Sequence, residues 1–137
     1  MRIGVIGSMQ FTEGMISIRD KLIDLGHEAF VTDLASPFIG KTDLEKEIIK
    51  IKQKNENDAI REFWRKMQGG EAVLAYNVDK NNIHNYIGGN TFLELGFAHI
   101  LNQKIFLYNP IPNIPFYRTE IEAMRPVIIN RDLLLVR

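Results

Sequence analysis

The chain has 137 residues, 45% hydrophobic and 25% charged, with 17 basic and 17 acidic side chains and a formal net charge of zero. That balance suits one soluble domain and argues against the broad cationic footprint of a nucleic-acid or membrane-surface binder. Cysteine is absent, which removes disulfides and thiolate metal sites and fits a reducing cytoplasm. The N-terminus has no signal-peptide layout, and no apolar run approaches the roughly 20 residues that span a bilayer.

Arg2-Ile3-Gly4-Val5-Ile6-Gly7 is a short apolar run ending in Gly7-Ser8, which predicts a buried strand and a turn. Met15, Ile16, Ile18, Leu22, Ile23 and Leu25 fall at roughly helical spacing over residues 13–25, and Gly26 closes that helix. His27 to Thr32 reads as a second strand, and Ser36-Pro37 and Gly40 mark a loop. From Thr42 to Gln68 the chain is helical and heavily charged. Leu44, Ile48 and Ile51 form one apolar stripe and Ile60, Phe63, Trp64 and Met67 another. The polar run Lys52 to Asp58 between them predicts a bend, a break or an exposed mid-section.

Ala72 to Tyr76 is a third buried strand, followed by a polar loop from Asn77 to Tyr86, a glycine turn and a helix over 90–102. Lys104 to Tyr108 is a fourth strand. Proline recurs too often in Asn109 to Pro115 for helix or central strand; the segment is a stiff connection that could form a lid or pocket wall. A short helix over 117–125 and a strand at Val127-Ile128-Ile129 follow. Continuously apolar strands alternating with helices predict a parallel α/β three-layer sandwich. Five strands suit a flavodoxin-like order, 2-1-3-4-5, in one domain over residues 1–137. Ligands bind such sheets beyond the strand C-termini where the strand order reverses, here between the first and third strands. The loops beginning at Gly7-Ser8 and Asn77 line that crevice.

The second of these loops leads into Gly88-Gly89-Asn90-Thr91-Phe92-Leu93-Glu94-Leu95-Gly96. A glycine turn at a helix start can hold an anion such as a phosphate. Glu94, expected in the first helical turn, would face whatever carries that anion. Gly96 costs the helix about 1 kcal/mol relative to alanine, which predicts a close backbone approach there. Thr91-x-x-Glu94 also fits a capping box, in which the two side chains satisfy free N–H groups. Thr42-x-x-Glu45 and Thr119-x-x-Glu122 share the spacing. Unlike those two, Glu94 follows the central strand, has paired glycines before it and a helical glycine after it.

Other motifs are weaker. Gly4-x-x-Gly7 lacks the dinucleotide fingerprint, and His27, His84 and His99 have no metal-ligand spacing. No cofactor or metal site is expected. Glu71, at the start of the third strand, lies roughly 20 Å from the crevice, seven residues at about 3.3 Å each, and is excluded from the chemistry.

Thr91 to His99, Thr-Phe-Leu-Glu-Leu-Gly-Phe-Ala-His, resembles the G-T-x-x-E-L-G-Y-A segment of the nucleoside 2-deoxyribosyltransferase family, which includes the 2′-deoxynucleoside 5′-monophosphate N-glycosidases. The resemblance extends to Gly7-Ser8, to the strand Ala72 to Asn77 and to Gln103 to Leu107, with only the Glu94 segment specific. It implies that Glu94 is the nucleophile at C1′ of the sugar, and that Gly7-Ser8 and the turn before the helix hold the sugar's 5′ end or phosphate. It further implies a homodimer or larger oligomer with sites at or near subunit contacts. The chain departs from the pattern at Gly88, where transferases commonly carry Asp, and at Asn90, where the family has glycine. Gly88 to Glu94 is also one residue short of the G-G-x-G-T-x-x-E motif of the cytokinin-activating phosphoribohydrolases.

On this basis the expected activity is cleavage or transfer at the N-glycosidic bond of a (2′-deoxy)nucleoside or its 5′-monophosphate. The helix dipole should keep Glu94 ionised, as a nucleophile requires. Asp79, after the third strand, is the expected proton donor, with Asp33 in reserve. Gly7, Ser8, Met9, Gly88, Gly89, Asn90 and Thr91 are expected to hold the phosphate or hydroxyl end, and Tyr76 and Asn77 to contact sugar or base. The partner is a small nucleoside or nucleotide, not nucleic acid or membrane. The alternatives are a nucleotide-binding module without catalysis, in which Glu94 is only a cap, and an α/β dimer whose partner is another protein.

Overall fold

Five short parallel strands form the centre of the fold: β1 (Arg2–Ile6), β2 (Glu28–Phe30), β3 (Ala72–Ala75), β4 (Lys104–Leu107) and β5 (Val127–Ile128). They lie in the order β2-β1-β3-β4-β5, as the alternation of elements predicts. The computed structural model describes residues 1–137. β1 and β3 are adjacent and in register, Gly4 opposite Val73 and Ile6 opposite Ala75. The order reverses there, and the chain after both strands emerges on the same edge of the sheet.

Each face of the sheet buries its own apolar cluster. On one side α1 (Thr12–Asp24) sets Met15, Ile18 and Leu22 against Ile3, Val5, Leu74 and Phe106. On the other, α3 (Ala59–Met67), α4 (Gly89–Ile100) and α5 (Arg118–Ala123) set Phe63, Met67, Leu95, Ala98 and Ile121 against Ile6, Val73, Ala75, Ile105 and Leu107. The central strands β1, β3 and β4, buried on both faces, have no polar side to present, which is why they read as apolar runs. No helix is long and apolar enough to cross a membrane.

The long charged segment divides where its polar run predicts. α2 (Asp43–Glu56) ends at Asn57, and Asp58, at φ +46°, starts α3 by accepting the Arg61 N–H on its side chain. The Thr42–Glu45 capping box forms in full. The apolar stripe of α2 faces outward, however. Leu44, Ile48 and Ile51 are 72, 60 and 50% exposed, while Lys46 and Gln53 are buried. α2 does not lie on the sheet. It crosses the C-terminal strand edge, where its inner face meets loop carbonyls: Lys46 donates to Gln10 O (3.0 Å) and Gln53 to Leu34 O (3.0 Å). Polar side chains satisfy that edge and apolar ones would not.

The other two capping boxes do not form. α5 begins at Arg118, so Thr119 is already inside it. α4 begins at Gly89 with Gly88 as its N-cap and no side-chain cap bond, which puts Thr91 in the helix and Glu94 five residues beyond its first residue. Nothing approaches within 4 Å of a Cβ built on Gly96, so the close approach its cost predicts is not made within this chain.

Candidate functional site

The crevice at the β1/β3 edge holds two joined chambers. The first is floored by the ends of β1 and α1 through Val5, Ile6 and Met15. The segment after β2 supplies Thr32 and Leu34, α2 supplies Lys50, Gln53 and Lys54, α3 supplies Ala59 and Phe63, and α4 supplies Asn90 and Glu94. The second lies over the N-terminus of α4. Its walls are Ser8, Lys80, Tyr86 and the run Gly88 to Thr91. Gly7, Met9, Lys50, Lys54 and Asn90 line both. A Cβ on Gly7 would sit 3.2 Å from Tyr76 O and 3.1 Å from Met15 Sδ, so the turn after β1 has little room for a side chain.

Glu94 is the sole acid lining the first chamber and is 7% exposed. It makes neither an ion pair nor a side-chain hydrogen bond with the rest of the chain. Burial pushes its pKa up to about 8, with the charge of Glu62 adding to the effect. The ionised state expected from the helix dipole is thus overturned. Free N–H groups and their partial charge belong to the first turn of a helix. Because α4 starts at Gly89, Glu94 lies beyond that turn, and desolvation decides its charge. Glu62, on α3, accepts the Thr32 hydroxyl (2.8 Å) and the Asp33 N–H (3.2 Å), which fixes a second carboxylate behind the chamber wall.

The glycine turn and the Gly7-Ser8-Met9 turn come together as expected. Asp79 does not join them. It is exposed outside both chambers, accepting the Asn85 N–H (2.9 Å) and paired with His84 (3.0 Å), and these bonds hold its carboxyl below the usual range. A loop carboxylate tied to its own loop has its oxygens committed there. Asp33 is likewise exposed and paired with Lys66.

Tyr76 and Asn77 also lie outside the chambers. The Tyr76 ring covers Gly14, where a Cβ would come within 2.7 Å of it, and packs on Tyr108 at 5.1 Å. Asn77 donates to the carbonyls of Asn109 (2.9 Å) and Pro110 (3.1 Å) and accepts the Asn109 N–H (2.8 Å). That pairing ties the ends of β3 and β4 together, a structural use of a buried amide. The proline-rich segment lines neither chamber. Glu71 caps the far edge, accepting the Arg2 N–H at 2.7 Å.

Reasoning from sequence missed the lysines. Lys80 donates to Ser8 Oγ (2.9 Å) and sits 5.3 Å from the centre of the Tyr86 ring. Burial, and then the charge of Lys50, lower its pKa. Lys50 pairs with Glu47 at 2.7 Å, and Lys54 has no ion pair. One signal was available: Lys46, Lys50, Gln53 and Lys54 follow i, i+4, i+7, i+8 along α2, a polar stripe at helical spacing opposite the apolar one. Compared with protein-family models, curated proteins and solved structures, the chain matches none.

Proposed function

We propose that this crevice binds a (2′-deoxy)nucleoside or its 5′-monophosphate and that Glu94 attacks C1′, cleaving or transferring at the N-glycosidic bond. The observation that carries the reading is the buried, unpartnered Glu94 carboxyl in a largely apolar chamber, beside the free N-terminus of α4. A sugar held with its 5′ end over that N-terminus can present C1′ to Glu94, as the resemblance around Thr91 to His99 implies. The carboxylate oxygen forms a bond to C1′ as the bond to the base nitrogen breaks, through an oxocarbenium-like state. The base leaves with the bonding pair and takes up a proton. Water or a second base then displaces Glu94 from the glycosyl ester. Only the ionised carboxyl can attack, so turnover through this step rises with pH toward about 8.

A second reading, nucleotide binding without turnover, is favoured by one observation: no other acid lines the Glu94 chamber to protonate a leaving base. Incubation with each deoxynucleoside and its 5′-monophosphate, with and without a second base, separates the two. Base release by the wild type that Glu94→Gln abolishes supports catalysis, and products with the acceptor base mark a transferase. Binding by both proteins without base release supports the binding module. The resemblance also leads us to propose a homodimer or larger assembly, which light scattering on the purified protein checks.

A further inference from the structure

At the opposite edge of the sheet from the Glu94 crevice lies a groove that the glycosidic reading does not use. We propose that this groove is a second ligand site, for an organic carboxylate with an apolar body and an N–H or O–H donor, whose head is held by Arg125 and Arg137.

The groove follows from the register of the sheet. β4 begins at Lys104, but β5 pairs only with Phe106 and Leu107, so Lys104 and Ile105 pair with β3 alone. Arg125, at φ +53°, and Pro126 turn the chain before β5 and end the pairing there. The space left is about 450 Å³, within the roughly 300–1,000 Å³ of small-molecule sites. Ile105, Phe106, Met124, Val127 and Leu135 make its lining largely apolar, and its charged residues, Lys104, Arg125 and Arg137, are all basic. Lys104 is committed, donating to the main-chain oxygen of Arg137 (3.3 Å). The guanidiniums of Arg125 and Arg137 have no acid beside them in the lining. A guanidinium takes a carboxylate through two parallel N–H bonds, and the apolar floor accepts the body that the carboxylate carries. Gln103, in the same wall, adds an independent feature. It is 8% exposed, its amide nitrogen donates to Met67 O (2.8 Å), and its Oε1 is the one buried side-chain polar atom with no hydrogen-bond partner. Buried acceptors are satisfied as a rule, and a donor on the ligand would satisfy this one.

NMR titration of the isotope-labelled protein with N-acetylphenylalanine, its amide, hydrocinnamate and acetate tests this on the wild type, Arg125→Asn and Arg137→Gln. N-acetylphenylalanine should shift resonances around the groove and leave those around Glu94 in place. It should bind about tenfold tighter than its amide, which lacks the charge, or acetate, which lacks the body. Hydrocinnamate keeps the charge and the ring but lacks the N–H, and should bind about fivefold more weakly. Each arginine variant should lose about tenfold for the carboxylate, with binding of the amide unchanged. Both arginines are exposed, and asparagine accepts the left-handed backbone at position 125, so the variants keep the fold. Equal binding of acid and amide, arginine variants that bind as the wild type does, shifts confined to the Glu94 crevice, or no saturable shift with either aromatic acid would each overturn the site. Equal binding of N-acetylphenylalanine and hydrocinnamate would overturn the part assigned to Gln103. None of these readouts involves base release, so the site stands or falls apart from the glycosidic reading.

Discussion

Thr42–Glu45 and Thr91–Glu94 share a spacing and have opposite fates. At the start of α2 the pair closes a capping box on the surface. In α4 Gly88 and Gly89 start the helix early, Thr91 falls inside it, and Glu94 is carried past the first turn into the wall of the crevice. Three residues of chain before the motif decide whether a glutamate is a solvated cap or a buried, neutral acid. The capping bonds lower the pKa of Glu45, whereas burial raises that of Glu94 to about 8.

The largest predicted contrast is in activity. Glu94→Gln should reduce base release by about a thousandfold or more, in the range expected for losing a nucleophile. Glu45→Gln should leave it unchanged, and chromatography of released base on both variants checks this. Next in size is the pH dependence of stability. The folded pKa of Glu94 lies above its ordinary value, so the fold holds its proton between about pH 4.5 and 8. The stability of that neutral state is full below the lower value and is lost as pH rises through the upper one. Urea melts at pH 5 and pH 9 should therefore show wild type losing on the order of 2–4 kcal/mol relative to Glu94→Gln. An equal difference at both pH values would contradict the burial account. Glu45 works in the opposite sense: its lowered pKa gives stability present at neutral pH and lost as pH falls through the folded value.

The smallest effect concerns the caps. Thr42→Ala should cost about 1 kcal/mol by removing an N-cap acceptor. Thr91→Val, which keeps the shape and removes the hydroxyl, should not lower the melt, because Thr91 caps nothing. Thermal melts of the two variants test whether the motifs differ as their positions imply.

The sheet was legible because the central strands β1, β3 and β4 carry apolar runs between helical periods, and the β1/β3 crevice followed from strand order alone. The break before Asp58 was legible because Lys52 to Asp58 offers no apolar residue to bury. The orientation of α2 was not. Its apolar stripe at Leu44, Ile48 and Ile51 has helical period, and periodicity reports two faces without saying which one the tertiary structure covers. The Thr91–Glu94 spacing suggests an N-cap at Thr91, three residues after the actual N-cap at Gly88, and that offset misassigns the charge of Glu94. Tyr76, Asn77 and Asp79 follow the right strand but are held by Gly14, Asn109 and Asn85, partners far off in sequence or fixed by loop geometry. Lys80 belongs to the site through Ser8, 72 residues away in sequence.

Peptide mass spectrometry of the protein acid-quenched during turnover of a deoxynucleoside 5′-monophosphate tests the central claim most directly. The account predicts a deoxyribose-phosphate ester on the peptide that contains Glu94, absent from Glu94→Gln. Base release with that peptide unmodified and Glu94→Gln equally active would contradict it.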